Sequence, residues 1–443
     1  MTKTEKNRQY IYDPLYGSYY LPDFVWDIIP SAELQRLREV RLCNINSFCL
    51  IGGANINRYE HAVGTCHLAF ECLESWPLFD PIDTQERNHL ILAALLHDIA
   101  SAAFGHSVEY VESQAGFDHE QAFTHVLIGQ TGGPYQYRST TLEPIFLGMP
   151  RSIASKMSPE DLKDIGEIIT GKERFGPLIN STLDLDNIDN VFRLAYHIGI
   201  TKSGETPLKL ARSIWIEGGE LVLKRESIAL VEHWHAVRKR LYEFLLLNPQ
   251  EFAAKCMLTE AIEVAKRKLK HPFNWYDVDF QIFQKLADIS SETNTIISRL
   301  MKGELYGCIA IFSSKNIKNQ AVLADRTKRE HLEDELSSLI RSKFPARFKS
   351  AMIALHLITD INKTQRQVKI KTDDGETVQI GNRSEQLLIG VFFKNLGLNM
   401  YEIESIPDDI MAAIRQEILI SLANALDDIN IQEVTLYSES TGC

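Results

Sequence analysis

The stretch "HLILAALLHDIASAAF", residues 89–104, constrains the chain most. Its apolar positions run all round a helix instead of forming one stripe, a pattern that suits only a helix in the middle of a core. At the end of the run stand His97 and Asp98. Neighbours on a helix point about 100 degrees apart and can still converge on one ion. A carboxylate so placed needs a partner, because burying an unpaired charge is costly. Most "HD" dipeptides are structural or solvated, and it is the position of this pair that singles it out. It fits a metal site drawing a further histidine from an upstream helix and an aspartate from a downstream one. His61, in "NRYEHAVGTCHLAFECLE", and Asp186, in "LDLDNID", are the natural candidates. On residue type alone, Asp184 and Asp189 compete with Asp186.

The rest of the chain reads as mainly α. "SAELQRLREVRL" has helical spacing behind a capping Ser31, and "LDLDNIDNVFRLAYHIG" is a helix ending at Gly199. A short hairpin turning at Gly218 and Gly219 leads into a long helix. Beyond residue 250 the texture changes. "ELYGCIAIF", "SAMIALHLI", "RQVKIKTDDGETVQIG" and "QLLIGVFFKN" read as strands, with Asp374-Gly375 as a hairpin turn, and helical segments lie between or after them. We therefore expect a helical domain over residues 1–255 and a smaller α+β region over 256–443, the latter with an oligomerisation or regulatory role. A chain of 443 residues has ample length for both.

Several classes are disfavoured. No run approaches the roughly 18 apolar residues of a spanning helix, and "MTKTEKNRQYIYDPLYG" lacks the apolar stretch of a signal peptide, so the expected location is cytoplasmic with no membrane partner. The seven cysteines are scattered without CxxC spacing and read as reduced thiols. A formal net charge of -12 argues against a globally basic nucleic-acid binder and leaves only a local patch for such a role. Arg238, Lys239 and Arg240 read as a solvated helix face, as does most of the Lys- and Arg-rich stretch 315–349.

"RYEH", then "HDIASAAFGH", then "DHEQAF", then "LDLDNID" follow the order and approximate spacing of the HD-domain phosphohydrolases, and "DPLYGSYYLPDFVWDIIPSAELQRLREVRL" is similar to the opening of the deoxynucleoside triphosphate triphosphohydrolase-like branch. The resemblance covers roughly residues 12 to 200 and thins after about 260. It implies a helical HD-domain core and a divalent metal ion (Mn, Fe, Zn or Mg) held by His61, His97, Asp98 and Asp186, the last chosen over Asp184 on this ground. Such a ligand set makes chemical sense, since neutral imidazoles suit these ions and two carboxylates offset their charge. The resemblance further implies His119 with Glu120, and His106 with Glu109, as acid, base or electrostatic groups, and Arg58 as a phosphate ligand through its fork of donors.

The chain also departs from the family. Ser101 stands where a histidine is expected and Ala103 where proline is common, and Asn190 and Leu194 replace a tyrosine and an aspartate that touch phosphate and sugar, while Arg193 is retained. A leucine cannot accept a hydrogen bond from a sugar hydroxyl. The leading expectation is hydrolysis of deoxynucleoside triphosphates to nucleoside and triphosphate. The alternatives are an HD phosphohydrolase for another nucleotide or phosphoester, and a nucleotide-sensing regulatory protein with weakened catalysis. The resemblance also implies a homo-oligomer and a regulatory nucleotide, for which 315–349 is the first place to look.

Overall fold

The computed structural model describes residues 9–43, 55–105, 123, 153–269, 273, 276–394 and 403–434. Helices dominate, joined by three small sheets. Helix Thr84–Leu96 is the central one: residues 89 to 96 are all buried, as the unbroken apolar run requires. Its start is fixed by a capping box in which Asp83 accepts from Glu86 N at 2.8 Å and Glu86 accepts from Asp83 N at 3.1 Å. Helices Arg58–Glu74, Pro159–Ile169 and Leu185–His197 pack around it or around one another. Together they close one large apolar core.

The helix expected from "SAELQRLREVRL" is shorter than its spacing suggests. It spans Ala32–Arg36, gives way to a 3-10 turn over Leu37–Glu39, and Ser31 occupies the cap position without a side-chain cap bond. The chain then turns extended because Arg41 bridges to Asn57, which starts the next helix. Arg36 explains the early stop. Fully buried, it donates through Nη2 to the carbonyls of Ile99 and Ser101 at 3.0 and 2.6 Å, so its side chain holds the turn that follows His97 and Asp98.

Both expected hairpins are present and share one sheet. Strands Ile214–Glu217 and Glu220–Leu223 turn at Gly218 and Gly219, whose φ of 62° and 81° suit glycine. Strands Val368–Thr372 and Thr377–Ile380 form the second hairpin, and Val222 and Leu223 pair in parallel with Lys371 and Thr372. This C-terminal hairpin thus buries Val368, Ile370 and Ile380 in the helical core. The other four-stranded sheet, in the order 432–433, 307–314, 385–393, 353–361, is antiparallel throughout. Its side chains alternate between two apolar layers: Ala354, Leu388 and Phe392 face helix Pro249–Lys268, while Leu355, Ile389 and Val391 face helices Arg326–Lys343 and Asp408–Leu426. Residues 255 and 256, where the expected boundary falls, both lie inside helix Pro249–Lys268.

Two surface readings are corrected. Arg238 is buried, donating to the carbonyls of Lys363 and Asn362 at 2.6 and 3.1 Å, because the loop after strand Ile353–Ile361 folds over it. Arg326 and Arg329 reach inward to Glu263 instead of facing water, in a network with Glu260, Glu333 and Lys394. Each cation there is matched by a carboxylate. The described cysteines, Cys43, Cys66, Cys72, Cys256 and Cys308, are all free thiols. No helix among the described residues is long and apolar enough to cross a membrane.

Candidate metal centre

Three helices bring the four expected ligands together. His61 lies in the first turn of helix Arg58–Glu74, which starts where the Asn57 side chain accepts from Glu60 N at 2.9 Å. His97 caps the C-terminus of helix Thr84–Leu96, with Asp98 in the turn beyond it. Asp186 sits in the first turn of helix Leu185–His197. The Nε2 atoms of His61 and His97 stand 3.2 Å apart, and Asp186 Oδ1 lies 2.9 Å from the first and 3.6 Å from the second. Asp98 Oδ2 is 3.9 and 3.8 Å from the same two nitrogens.

These spacings fit one ion. Donors about 2.1 Å from a metal and about 90 degrees apart stand about 3.0 Å from each other. The tautomers fit as well. His97 Nδ1 donates to the Ala94 carbonyl at 2.8 Å and His61 Nδ1 to Asp189 Oδ2 at 2.7 Å, leaving both Nε2 lone pairs for the shared point. The Asp186 side chain is 32% exposed whereas that of His61 is 1%, so the cluster opens on the Asp186 side.

The electrostatics are those of a cation site. Burial pushes the His61 imidazole down, but hydrogen bonds to Asp186 and Asp189 and their charges outweigh it and raise its pKa to about 10. His97 is raised in the same way, against burial, by Asp98 and Asp186. Burial likewise works against the Asp98 carboxylate, yet Arg58 and the two histidines hold it well below the usual range.

Around the cluster lies a layer the sequence shows poorly. Asp189, one turn after Asp186, is a buried acceptor for His61. It is clamped by Arg193 through Nε and Nη2, both at 2.9 Å, and by the Tyr16 hydroxyl at 2.7 Å. Arg193 in turn meets Asp13 at 3.0 Å and Glu60 at 2.7 Å, and Glu60 also pairs with His197 at 2.8 Å. This layer exists because residue 64 is glycine: a Cβ there would overlap Arg193 Nη2 and Asp189 Oδ1. A glycine inside an apolar helix, three residues after His61, was the available signal. Asp184 holds no place in the cluster. It caps its helix, accepting from Asn187 N at 2.6 Å and Ser181 N at 2.7 Å.

Arg58 occupies a different position from an open phosphate ligand. Its Nη1 lies 2.6 and 2.7 Å from the two oxygens of Asp98, and Ser101 Oγ donates to Asp98 Oδ1 at 2.6 Å. Ser101, which replaces the expected histidine, thus helps orient Asp98. His106, Glu109, His119 and Glu120 lie outside the described residues. Leu194 is 4% exposed and packs in the helical core.

Residues 58–131 match the family model described as the HD domain. The YwfO protein of Bacillus subtilis is 25% identical over 266 residues, 58% of this chain and 55% of that protein. A protein of Dictyostelium discoideum named as a deoxynucleoside triphosphate triphosphohydrolase SAMHD1 homolog is 25% identical over 321 residues, 68% of this chain and 60% of its own length. The chain thus spans little more than half the length of these two relatives. A crystal structure of a phosphohydrolase from Bacteroides thetaiotaomicron superposes with a TM-score of 0.63 at 17% identity, covering 88% of this chain and all of the other, and so shares its fold. Residues 58–131, which supply His61 and His97 of the cluster with Asp186, thus carry an HD domain, and the chain resembles the HD-domain phosphohydrolases of the deoxynucleoside triphosphate triphosphohydrolase-like branch.

Proposed function

We propose that the chain is a divalent-metal-dependent phosphohydrolase acting on nucleotides, with deoxynucleoside triphosphates as the leading substrates and nucleoside plus triphosphate as products. The observation that carries this reading is the convergence of two imidazole Nε2 atoms and one carboxylate oxygen at a point where the Asp186 side chain is partly exposed. His61, His97, Asp98 and Asp186 would hold the ion, which when bound supplies Lewis acidity and charge neutralisation toward a phosphate. The chain's own groups prepare that site. Asp189 fixes the His61 ring, the Ala94 carbonyl fixes His97, and Arg58 with Ser101 fixes Asp98. Arg58 also places a guanidinium beside the open cluster, where it meets a phosphate oxygen without leaving Asp98. His119 with Glu120, and His106 with Glu109, are the proposed proton-handling groups. Residues 1–255 would supply the chemistry and 256–443 assembly into a homo-oligomer and regulation by nucleotide, in the cytoplasm.

Leu194 favours a second reading. Packed in the core, it offers nothing to a sugar hydroxyl, which supports a different nucleotide or phosphoester as substrate, or a sensor with weak turnover. Product analysis separates these. The purified chain with Mn, Mg, Fe or Zn is incubated with all four deoxynucleoside triphosphates, ribonucleotides and mixtures of them, beside a His97→Ala/Asp98→Ala variant. Nucleoside with intact triphosphate, absent from the variant, supports the leading reading. Orthophosphate or a monophosphate moves the substrate elsewhere, and no product from a metal-loaded chain rejects nucleotide hydrolysis.

A further inference from the structure

The helix start that carries Asp186 is tied from the far end of the chain. Asp184 caps helix Leu185–His197, and Asn187, the residue after Asp186, binds that cap through several bonds: its backbone N–H donates to Asp184 Oδ1 at 2.6 Å, and its Nδ2 lies 3.0 Å from each Asp184 oxygen. The backbone carbonyl of Asn187 accepts from Trp234 Nε1 at 3.3 Å. Its side-chain carbonyl is taken by Arg366, which donates from Nη1 to Asn187 Oδ1 at 2.8 Å across 179 positions of sequence. The same Nη1 lies 3.4 Å from the carbonyl oxygen of Thr182, just ahead of the cap. Arg366 thus touches both sides of the turn that presents Asp186.

Arg366 can hold that turn because its own backbone is fixed. In the loop leading to it, Asp360 accepts from the backbone of Lys363 and Thr364, both at 3.0 Å, and from Ser384 Oγ at 2.7 Å. Gln365, directly before Arg366, is tied to Ser384 in both directions: its N–H donates to Ser384 Oγ at 3.3 Å, and its carbonyl accepts from Ser384 N at 3.1 Å. Arg238, on helix Ile228–Leu247, pins the carbonyls of Lys363 and Asn362. Gly381, with a φ of 76°, lets the chain pass close against the Arg366 carbonyl; a Cβ there would lie 2.7 Å from that oxygen and 2.1 Å from His235 Nε2.

Packing alone does not call for the contact with Asn187. The hairpin that follows Arg366 is anchored by Val368, Ile370 and Ile380 in the helical core and by its pairing with strand Glu220–Leu223. A guanidinium aimed at an amide oxygen does something else. It fixes which way round the amide stands, so that Nδ2 faces the Asp184 carboxylate. The cap in turn fixes the first turn of its helix. Asp186 lies in that turn, with Oδ1 2.9 Å from His61 Nε2 and 3.6 Å from His97 Nε2. His61 and His97 have their own orienting acceptors in Asp189 and the Ala94 carbonyl, whereas the Asp186 side chain is partly exposed and takes its place from where its helix begins.

We propose that Arg366 is a positioning residue for the metal centre: acting through Asn187 and the Asp184 cap, it sets the place of the Asp186 carboxylate and so the affinity of the centre for its ion. The C-terminal region then tunes the centre without touching the ion. A partner or ligand that shifts the 362–366 loop would change metal affinity through the same contact. The inference rests on the reading of His61, His97 and Asp186 as metal ligands, and the titrations below separate the two.

Calorimetric titration of the full chain with Mn, and in parallel with Zn, tests this without turnover. Arg366→Ala should weaken binding about tenfold, the lower end of the effect expected when a group behind a metal ligand is lost. Arg366→Lys, which keeps a donor, should stay within about threefold of wild type, and Lys369→Ala, an exposed cation on the same hairpin, should match wild type. Asn187→Ala should weaken binding as Arg366→Ala does, and the double variant should be no weaker than either, because both act through one contact. Thermal unfolding in chelator accompanies each titration. If Arg366→Ala lowers Tm but binds Mn and Zn within twofold of wild type, its role is structural only and the proposal is overturned. Losses that multiply in the double variant overturn the route through Asn187. Should Arg366→Ala fail to fold, Arg366→Lys combined with Asn187→Ala decides by the same comparison with Asn187→Ala alone. No binding of either ion to wild type overturns the proposal together with the metal reading, whereas binding lost in His61→Ala and unmoved in Arg366→Ala overturns the proposal alone.

Discussion

Replacing Gly64 by alanine tests whether the layer behind the metal ligands is as tightly built as its geometry implies. On an ordinary helix the change is favourable, by roughly 1 kcal/mol of helix propensity. Here the new Cβ meets the guanidinium of Arg193 and the carboxylate of Asp189, both wholly buried, and both belong to the clamp that holds the His61 ring. Neither can retreat into water. Overpacking of a dense interior costs about 1 to 3 kcal/mol, and breaking a buried ion pair about 3 to 5 kcal/mol. After the propensity gain the net loss is about 2 to 4 kcal/mol if the pair breaks, and at most about 2 kcal/mol if it is only pushed aside. Loss of the partner that orients a metal-bound histidine weakens metal binding about 10- to 100-fold. Urea unfolding read by tryptophan fluorescence gives the first quantity and calorimetric Mn titration the second. An alanine variant as stable as wild type, with unchanged Mn affinity, would show that the Asp189 and Arg193 clamp plays no part in holding His61.

Four further outcomes follow from the same geometry. Adding Mn to chelator-treated protein should raise Tm, since an ion at about 100 times its Kd stabilises the folded state by about 2.7 kcal/mol; His61→Ala should show no rise. Asp98→Asn should lower stability by about 3 kcal/mol or more, because it leaves the buried Arg58 facing a neutral amide. Lys255→Met should raise Tm by about 1 to 3 °C, since it removes a charge that burial and the charge of Lys363 disfavour. His67, stacked on Tyr19 with centroids 3.7 Å apart, is pushed down to about 3 by burial and then by Arg212. The unfolded chain binds a proton at this residue below about pH 6.5 and the folded chain does not until near pH 3. Between these values stability should fall on acidification by about 1.4 kcal/mol per pH unit from this residue. His67→Phe keeps the stack and should flatten that slope between pH 5 and 6.5; an unchanged slope would refute the assignment.

The clustered histidines and aspartates were legible as candidate ligands because each sits in a local pattern: an apolar helix ending in two polar residues, and a capped start one residue ahead of a histidine's turn. Position within a pattern was less legible. Asp184, Asp186 and Asp189 are alike as letters, and only the three-dimensional helix start makes the first a cap, the second a half-open neighbour of the His61 Nε2 and the third a buried acceptor for His61. Arg58 illustrates a different limit. Its fork suits a phosphate or a carboxylate equally, and the nearby Asp98 makes the contact seen. Arg238 and Arg329 read as surface cations because nothing in a helical stretch announces a carbonyl or a glutamate supplied from 125 and 66 residues away. Arg366 reaches Asn187, next to Asp186, from the loop just ahead of a hairpin that pairs with strand Glu220–Leu223, a contact without local trace.

Charge balance ties these parts together. The hydrogen-bonded groups around His61 and His97 include five carboxylates, Asp13, Glu60, Asp98, Asp186 and Asp189, against two guanidiniums, Arg58 and Arg193. Such an excess of negative charge, most of it buried, must attract positive charge, and the rise in both histidine pKa values expresses that demand in protons. A divalent ion would meet it better than protons do, because the Nε2 atoms and the Asp186 Oδ1 would hold it while the imidazoles stay neutral.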